Sequence, residues 1–260
     1  MKNDELTGIF DSGVGGLSVL KELIPFGGHY IYFGDTKNLP YGNKTKEQII
    51  SYTKDIIRFF AAKGVRKVIM ACNTSSALAY ETLNAEFGET IKIHPLIQTA
   101  APYIAREAGI IGVMATELTV KSQMYTKEIK KINGDIKVYE IACPDFVKIV
   151  ENRLYDRKET AAYIKRHLDY LLNKGCKKIV LGCTHYPYLM PVLTKFAPET
   201  TFINPAKYMA HIVRNNIYKG LSKIEFFVSD SPEMFRKNAA FFMEIKENIE
   251  LVSASYCLSA

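Results

Sequence analysis

At 260 residues the chain is long enough for one large α/β domain or two lobes of ordinary size. Its 48% apolar and 23% charged content, with no low-complexity tract, excludes a disordered or fibrous protein. A formal charge of +7 raises the question of nucleic acid, but the lysines are dispersed and small clusters such as Lys177-Lys178 precede strand-like runs, so the excess reads as solvated surface. No nucleic-acid partner is expected, whereas an anionic small-molecule substrate would gain modestly from the positive field. The opening MKNDELTGIF lacks a basic-then-apolar export pattern, and no apolar stretch approaches the roughly 18 residues that span a bilayer. No membrane association and a cytoplasmic location are expected.

In chain order, short apolar runs predict strands over 6–10, 30–33, 67–71, 92–95, 110–114, 137–141, 178–181, 201–203 and 223–228. Most are followed by a Gly, Ser, Thr or Asn turn and a helical period, the pattern of alternating strands and helices in a mainly parallel sheet. Over 45–63, Ile49, Tyr52, Ile56 and the pair Phe59-Phe60 recur at spacings of three and four, and 159–173 is helical by the same test. Lys67-Val-Ile-Met-Ala-Cys72-Asn-Thr74 and Lys178-Ile-Val-Leu-Gly-Cys183-Thr-His185 echo one another: basic residue, apolar strand, small residue, Cys, polar pair. Two similar lobes would produce that echo, and so would chance likeness between two buried strands. The first crossing between lobes is expected near 94–99 and the return near 204–209.

The residues able to carry chemistry sit at strand ends, where ligands gather in open α/β sheets and the next helix presents free N–H groups. Cys72 and Cys183 both occupy that position, and a thiol beside a helix N-terminus can serve as a base or a nucleophile. One such cysteine is often only a small core residue; two in matched contexts point to chemistry. Cys143, Cys176 and Cys257 lack the context and read as structural or incidental. The five cysteines show neither CxxC nor His/Cys ligand spacing, so reduced thiols, no disulfide framework and no metal are expected. In FDSGVGG, Asp11 follows a strand, and Gly13, Gly15 and Gly16 permit a tight turn that could face an anion or be a turn alone; no Walker lysine follows them. Asp35 ends another strand, ahead of the Pro40-Tyr41-Gly42 turn, which is either a ligand-closing loop or an ordinary one. His185 could hydrogen-bond a substrate carboxylate or tune Cys183.

At these residues the sequence resembles the glutamate racemases of the aspartate/glutamate racemase superfamily. The likeness runs almost end to end and is carried by GIFDSGVGGLSVL (8–20), YFGDTKNLPYG (32–42), ACNTSSA (71–77), IGVMATELTVKSQMY (111–125), ACPDFVKIVE (142–151) and LGCTHYPYL (181–189). It implies two flavodoxin-like α/β lobes related by a pseudo-twofold axis, with the active site between them. The first lobe would be 1–95 plus 206–260, and the second 96–205. It also implies that Cys72 and Cys183 are the catalytic pair, supported by Asp11, Glu151 and His185. The amino acid would be held by Asp11, Ser12, Pro40, Tyr41, Gly42, Asn73, Thr74, Thr116, Thr119, Thr184 and His185.

The implied activity is interconversion of L- and D-glutamate for peptidoglycan synthesis, one thiolate removing the α proton while the opposite thiol returns one. By resemblance, Cys72 would act on the D-enantiomer and Cys183 on the L-enantiomer. No cofactor is expected, since nothing marks a lysine for a pyridoxal phosphate Schiff base. Ala115, Leu118, Asn204 and the stretch Leu96-Ile97-Gln98-Thr99 depart from the family's usual pattern. They leave an aspartate or broad-specificity racemase as the nearest alternative and a non-catalytic amino-acid-binding protein as a more distant one. Glutamate is the expected small-molecule partner, and the sequence permits a homodimer.

Overall fold

The computed structural model describes residues 6–106, 109–155, 157–213 and 221–252. Ten strands lie among them. β1 (Thr7–Asp11), β2 (His29–Gly34), β3 (Lys67–Met70) and β4 (Lys92–Pro95) come first. Next are β5 (Ile110–Ala115), β6 (Lys137–Ala142), β7 (Lys178–Gly182) and β8 (Thr201–Ile203), followed by β9 (Lys223–Val228) and β10 (Ile249–Leu251). They form a six-stranded sheet in the order β10-β9-β2-β1-β3-β4 and a four-stranded sheet in the order β6-β5-β7-β8. Every pairing is parallel.

A parallel sheet needs helical crossovers that cover both faces, so its inner strands become continuous apolar runs. β1, TGIFD, and β3, KVIM, are accordingly buried throughout. β1 is central, with Thr7 in register with Tyr30 on one side and Lys67 on the other. The helix Lys46–Ala62 shows how local sequence fixes an element. Thr45 and Gln48 cap each other's backbone N–H in a capping box, and Ile49, Ile56, Ile57, Phe59 and Phe60 form the buried stripe.

All nine strands expected from the sequence are present, with ends shifted by at most a residue. β10 was not expected. It has three residues at the sheet edge, two of them exposed, too few to show a periodicity.

The chain completes β1 to β4, leaves through the helix Leu96–Ile104, builds the whole four-stranded sheet, and returns through the helix Pro205–Val213 to add β9 and β10. The outgoing and returning helices pack on each other, with the Tyr103 and Tyr208 rings stacked 5.2 Å apart. One apolar cluster runs across both halves, from Ile9, Leu17 and Tyr32 to Leu181, Phe146 and Leu193; two others cover the outer faces of the sheets. Among the described residues no helix is long and apolar enough to cross a membrane.

Phe60 fills the outer face of the six-stranded sheet. It is fully buried, tilts against Phe33 and Phe59, and lies so close to Gly8 that a Cβ there would fall 2.9 Å from its ring. Phe60→Ala is expected to lower unfolding free energy by about 3–5 kcal/mol, measured by urea denaturation, because the site cannot collapse around so large a void.

Candidate active site

The carboxyl ends of β1, β3, β5 and β7 face one another across the seam between the two sheets. Cys72 follows β3 and caps the helix Asn73–Leu78, while Cys183 follows β7. Both are buried, at 6% and 7% exposure, and near enough that the charge of one sulfur is felt by the other. Burial pushes the Cys72 thiol up to about 12. The Asp11 carboxylate and Cys183 add to the rise, and the amide and hydroxyl of Ser75 oppose it.

Cys183 heads a chain of polar contacts. Its Sγ lies 3.8 Å from His185 Nδ1, and His185 Nε2 lies 3.0 Å from Glu151 Oε1. Burial works against a charged imidazole, but its hydrogen bonds and attraction to Cys183 and Glu151 outweigh that penalty and push His185 up to about 10. Asp11, 1% exposed at the end of β1, reaches the same group from the other sheet. It accepts from the Gly13 N–H at 3.2 Å and from the Thr184 hydroxyl at 3.5 Å. Burial raises its carboxyl pKa, with the His185 charge and the N–H groups of Gly16 and Gly13 pulling the other way.

On the Cys72 side, Thr74 after β3 meets Thr116 and Thr119 after β5. Thr74 Oγ1 is 3.0 Å from that of Thr116 and 3.5 Å from that of Thr119, and the last two are 2.9 Å apart. Three hydroxyls supply both donors and acceptors, a group able to grip a carboxylate. The Tyr125 hydroxyl donates to Asn73 Oδ1 at 2.7 Å, which leaves the buried Asn73 Nδ2 donor without a protein partner. Tyr41 is buried in the same cluster as Cys72, with its hydroxyl on Asp35 Oδ2 at 2.6 Å. Ser12 is half-buried beside Asp11, Gly42 half-buried beside Tyr41, and Pro40 exposed at the turn.

Thus Asp11, Cys183, Thr184, His185 and Glu151 form one connected group and Thr74, Thr116 and Thr119 a second, each drawing residues from both sheets, with Asn73 next to Thr74. Cys143 and Cys176 are buried in the core, and Cys257 lies outside the described residues. Among the described residues no group of His, Cys, Asp and Glu is arranged to hold a metal. The sequence did not single out Tyr125 or the contact face of Gly15. A Cβ on Gly15 would stand 2.4 Å from Thr184 Oγ1 and 2.5 Å from two atoms of the His185 ring.

A family model, Asp/Glu/Hydantoin racemase, matches residues 20–212. The chain belongs to this family. A glutamate racemase of Persephonella marina is 40% identical over 237 residues, covering 88% of this chain and 90% of that one. A glutamate racemase isoform of Bacillus anthracis superposes with a TM-score of 0.89 at 28% identity, covering 96% of this chain and 98% of the other. The glutamate racemase of Francisella tularensis, solved in complex with D-glutamate, gives 0.88 at 29% identity over 96% and 98% of the two chains. The α/β fold with two parallel sheets is shared with these structures.

Two outcomes follow from the geometry. Gly15→Ala is expected to hold the two sheets apart at Thr184 and His185, since the added methyl meets atoms from the opposite half, and so to lower turnover at least about tenfold. Steady-state kinetics alongside small-angle scattering of the two proteins checks this. His185 is held above its ordinary 6.5, so its contribution to stability is complete below about pH 6.5 and is lost as pH rises through about 10. Thermal melts of the wild type and of His185→Gln across that window should converge at the alkaline end.

Proposed function

We propose that this protein is a glutamate racemase that interconverts L- and D-glutamate with Cys72 and Cys183 as the two proton-transferring groups, without a cofactor. The observation that carries the reading is the pair of buried thiols, at matched strand ends on the two sheets, each within a shell of hydrogen-bonding groups. The likeness to glutamate racemases over about nine-tenths of the chain supports the substrate. Inverting a carbon requires a base on one face and an acid on the other, and two halves that each bring one thiol to a common seam meet that need.

The α proton of an amino acid is far less acidic than a thiol, so the site has to stabilise the negative charge that develops as the proton leaves. The Asn73 Nδ2 donor and the hydroxyls of Thr74, Thr116 and Thr119 are placed to do so, with Ser12, Tyr41, Gly42, Thr184 and Pro40 completing the pocket. In the absence of substrate, burial keeps Cys72 protonated, so it stands ready as an acid. His185, with its proton held by Cys183 and Glu151, stabilises negative charge at the Cys183 sulfur. Asp11 reaches both systems, through its effect on Cys72 and through Thr184.

The division into lobes is proposed as 1–95 plus 206–260 and 96–205, with both crossings in the helices that follow β4 and β8. The product fits a cytoplasmic supply of D-glutamate for peptidoglycan.

Incubation of dialysed protein with L-glutamate, D-glutamate or L-aspartate in heavy water tests the reading. Optical rotation should decay and deuterium enter the α position with either glutamate enantiomer, with little change for aspartate. Cys72→Ala and Cys183→Ala should each lower two-way turnover by a factor on the order of a thousand or more. Near-full activity in either variant would end the two-thiol reading, and exchange with aspartate alone would reassign the substrate.

A further inference from the structure

The segment after the helix Pro232–Ala239 belongs to the six-stranded half, yet its side chains reach into the other. A tight turn, with the Phe242 and Met243 N–H groups on the Ala239 carbonyl at 2.7 and 2.8 Å, presents Phe241 and Phe242 side by side. Lys21, on the helix Leu17–Leu23 that follows the glycine turn, fixes the segment by donating to the Phe242 carbonyl at 3.1 Å. The Phe242 ring is 3% exposed. It stands edge-to-face to His185, with centroids 5.6 Å apart and planes at 88°, and to Tyr188 at 4.4 Å. Phe241 extends the contact to Tyr188, and the Arg153 guanidinium lies 5.1 Å from its ring centre.

The hydrogen bonds of His185 hold the ring only loosely by themselves. Nδ1 lies a long 3.8 Å from the Cys183 sulfur, and the Glu151 carboxylate that meets Nε2 at 3.0 Å is partly exposed, at 27%. The ring turns about its Cβ–Cγ bond, where histidine χ2 has a broad torsional well, and turning carries both nitrogens off their partners unless something packs against the ring. Both groups identified at this ring come from the six-stranded half: the Gly15 backbone, where even a methyl would collide with Cε1 and Nδ1, and the Phe242 ring.

We propose that Phe242 is a positioning residue for proton transfer at Cys183: together with Gly15 it fixes the plane of the His185 imidazole, and it does so only when the two halves are closed. This rests on the two-thiol reading above, in which Cys183 exchanges a proton with the α carbon. The Cys183–His185–Glu151 chain is then assembled by closure rather than standing ready in the four-stranded half alone. The charged and titratable groups around the imidazole are Cys183 and Glu151 from its own half, and Asp11 with the more distant Lys21 from the other.

The test is a double-mutant cycle with Phe242→Ala and His185→Gln, reading kcat and KM for both glutamate enantiomers. Phe242→Ala should lower kcat on the order of tenfold with KM changed less than about twofold, and should cost almost nothing further in the His185→Gln background. The primary isotope effect should rise with α-deuterated substrate for the one enantiomer whose proton Cys183 removes, and not for the other. Multiplicative losses, or an isotope effect that rises equally for both enantiomers, would overturn the proposal by showing a general loosening of the seam. Phe242→Leu keeps the apolar bulk, carries the same cycle if the alanine variant does not fold, and should lose less than Phe242→Ala. The 15N titration of the His185 ring needs no turnover and separates this proposal from the assignment of the reaction. It should move toward the ordinary histidine value in Phe242→Ala, and an unmoved titration would refute positioning even if the protein racemised no glutamate.

Discussion

Everything at this site depends on how closely the two parallel sheets approach at their carboxyl ends. The contact is set where Gly15 lies against Thr184 and His185 and where the Thr184 hydroxyl reaches Asp11, with no room for a single further carbon. Because the strand ends meet there, so do the helix N-termini and the polar residues that follow each strand. The low-dielectric seam makes each of those contacts stronger than it would be in water. Two ionisable groups keep their protons there for different reasons: the Cys72 thiol because it is buried beside a carboxylate, and His185 because hydrogen bonds and attraction to Cys183 and Glu151 outweigh its burial.

The two sides of the seam are alike in plan and different in chemistry. Cys72 has the Ser75 amide and hydroxyl close by and the hydroxyls of Thr74, Thr116 and Thr119 alongside; Cys183 has an ionic chain running away from it through His185 to Glu151. Repeated topology brings one thiol to the seam from each sheet, and the residues that follow each strand give the two sulfurs different neighbours. Tyr125 and Asp35 act one layer out. Tyr125 turns the Asn73 amide so that its donor faces the seam, and Asp35 takes the Tyr41 hydroxyl and is itself fixed by Ser229 and Asn38.

Nine strands were legible in the sequence because strands buried on both faces must be apolar runs, and crossover helices carry their own period. β10 was not, since three residues with two exposed leave no pattern. Cys72, Cys183 and Asp11 were legible from one local fact, a reactive residue directly after a buried strand. The resemblance then supplied Glu151, Thr116 and Thr119, whose roles depend on partners more than thirty positions away. Tyr125, the Gly15 face and Phe242 escaped for the same reason: each acts through a residue in the opposite half, and nothing in its own neighbourhood records that contact.

The order of strands has a consequence for how the chain acquires its shape during synthesis. β9 pairs with β2 and β10 with β9, while the whole four-stranded sheet is encoded between β4 and β9. As the polypeptide leaves the ribosome, the inserted sheet has all its strands while β2 still presents a bare row of N–H and C=O groups. An unpaired edge is a template for wrong pairing, and multidomain chains misassemble through such edges. The stretch after residue 222 therefore finishes the molecule in two senses: it brings Phe242 to His185, and it covers the edge that β2 has presented since it was made.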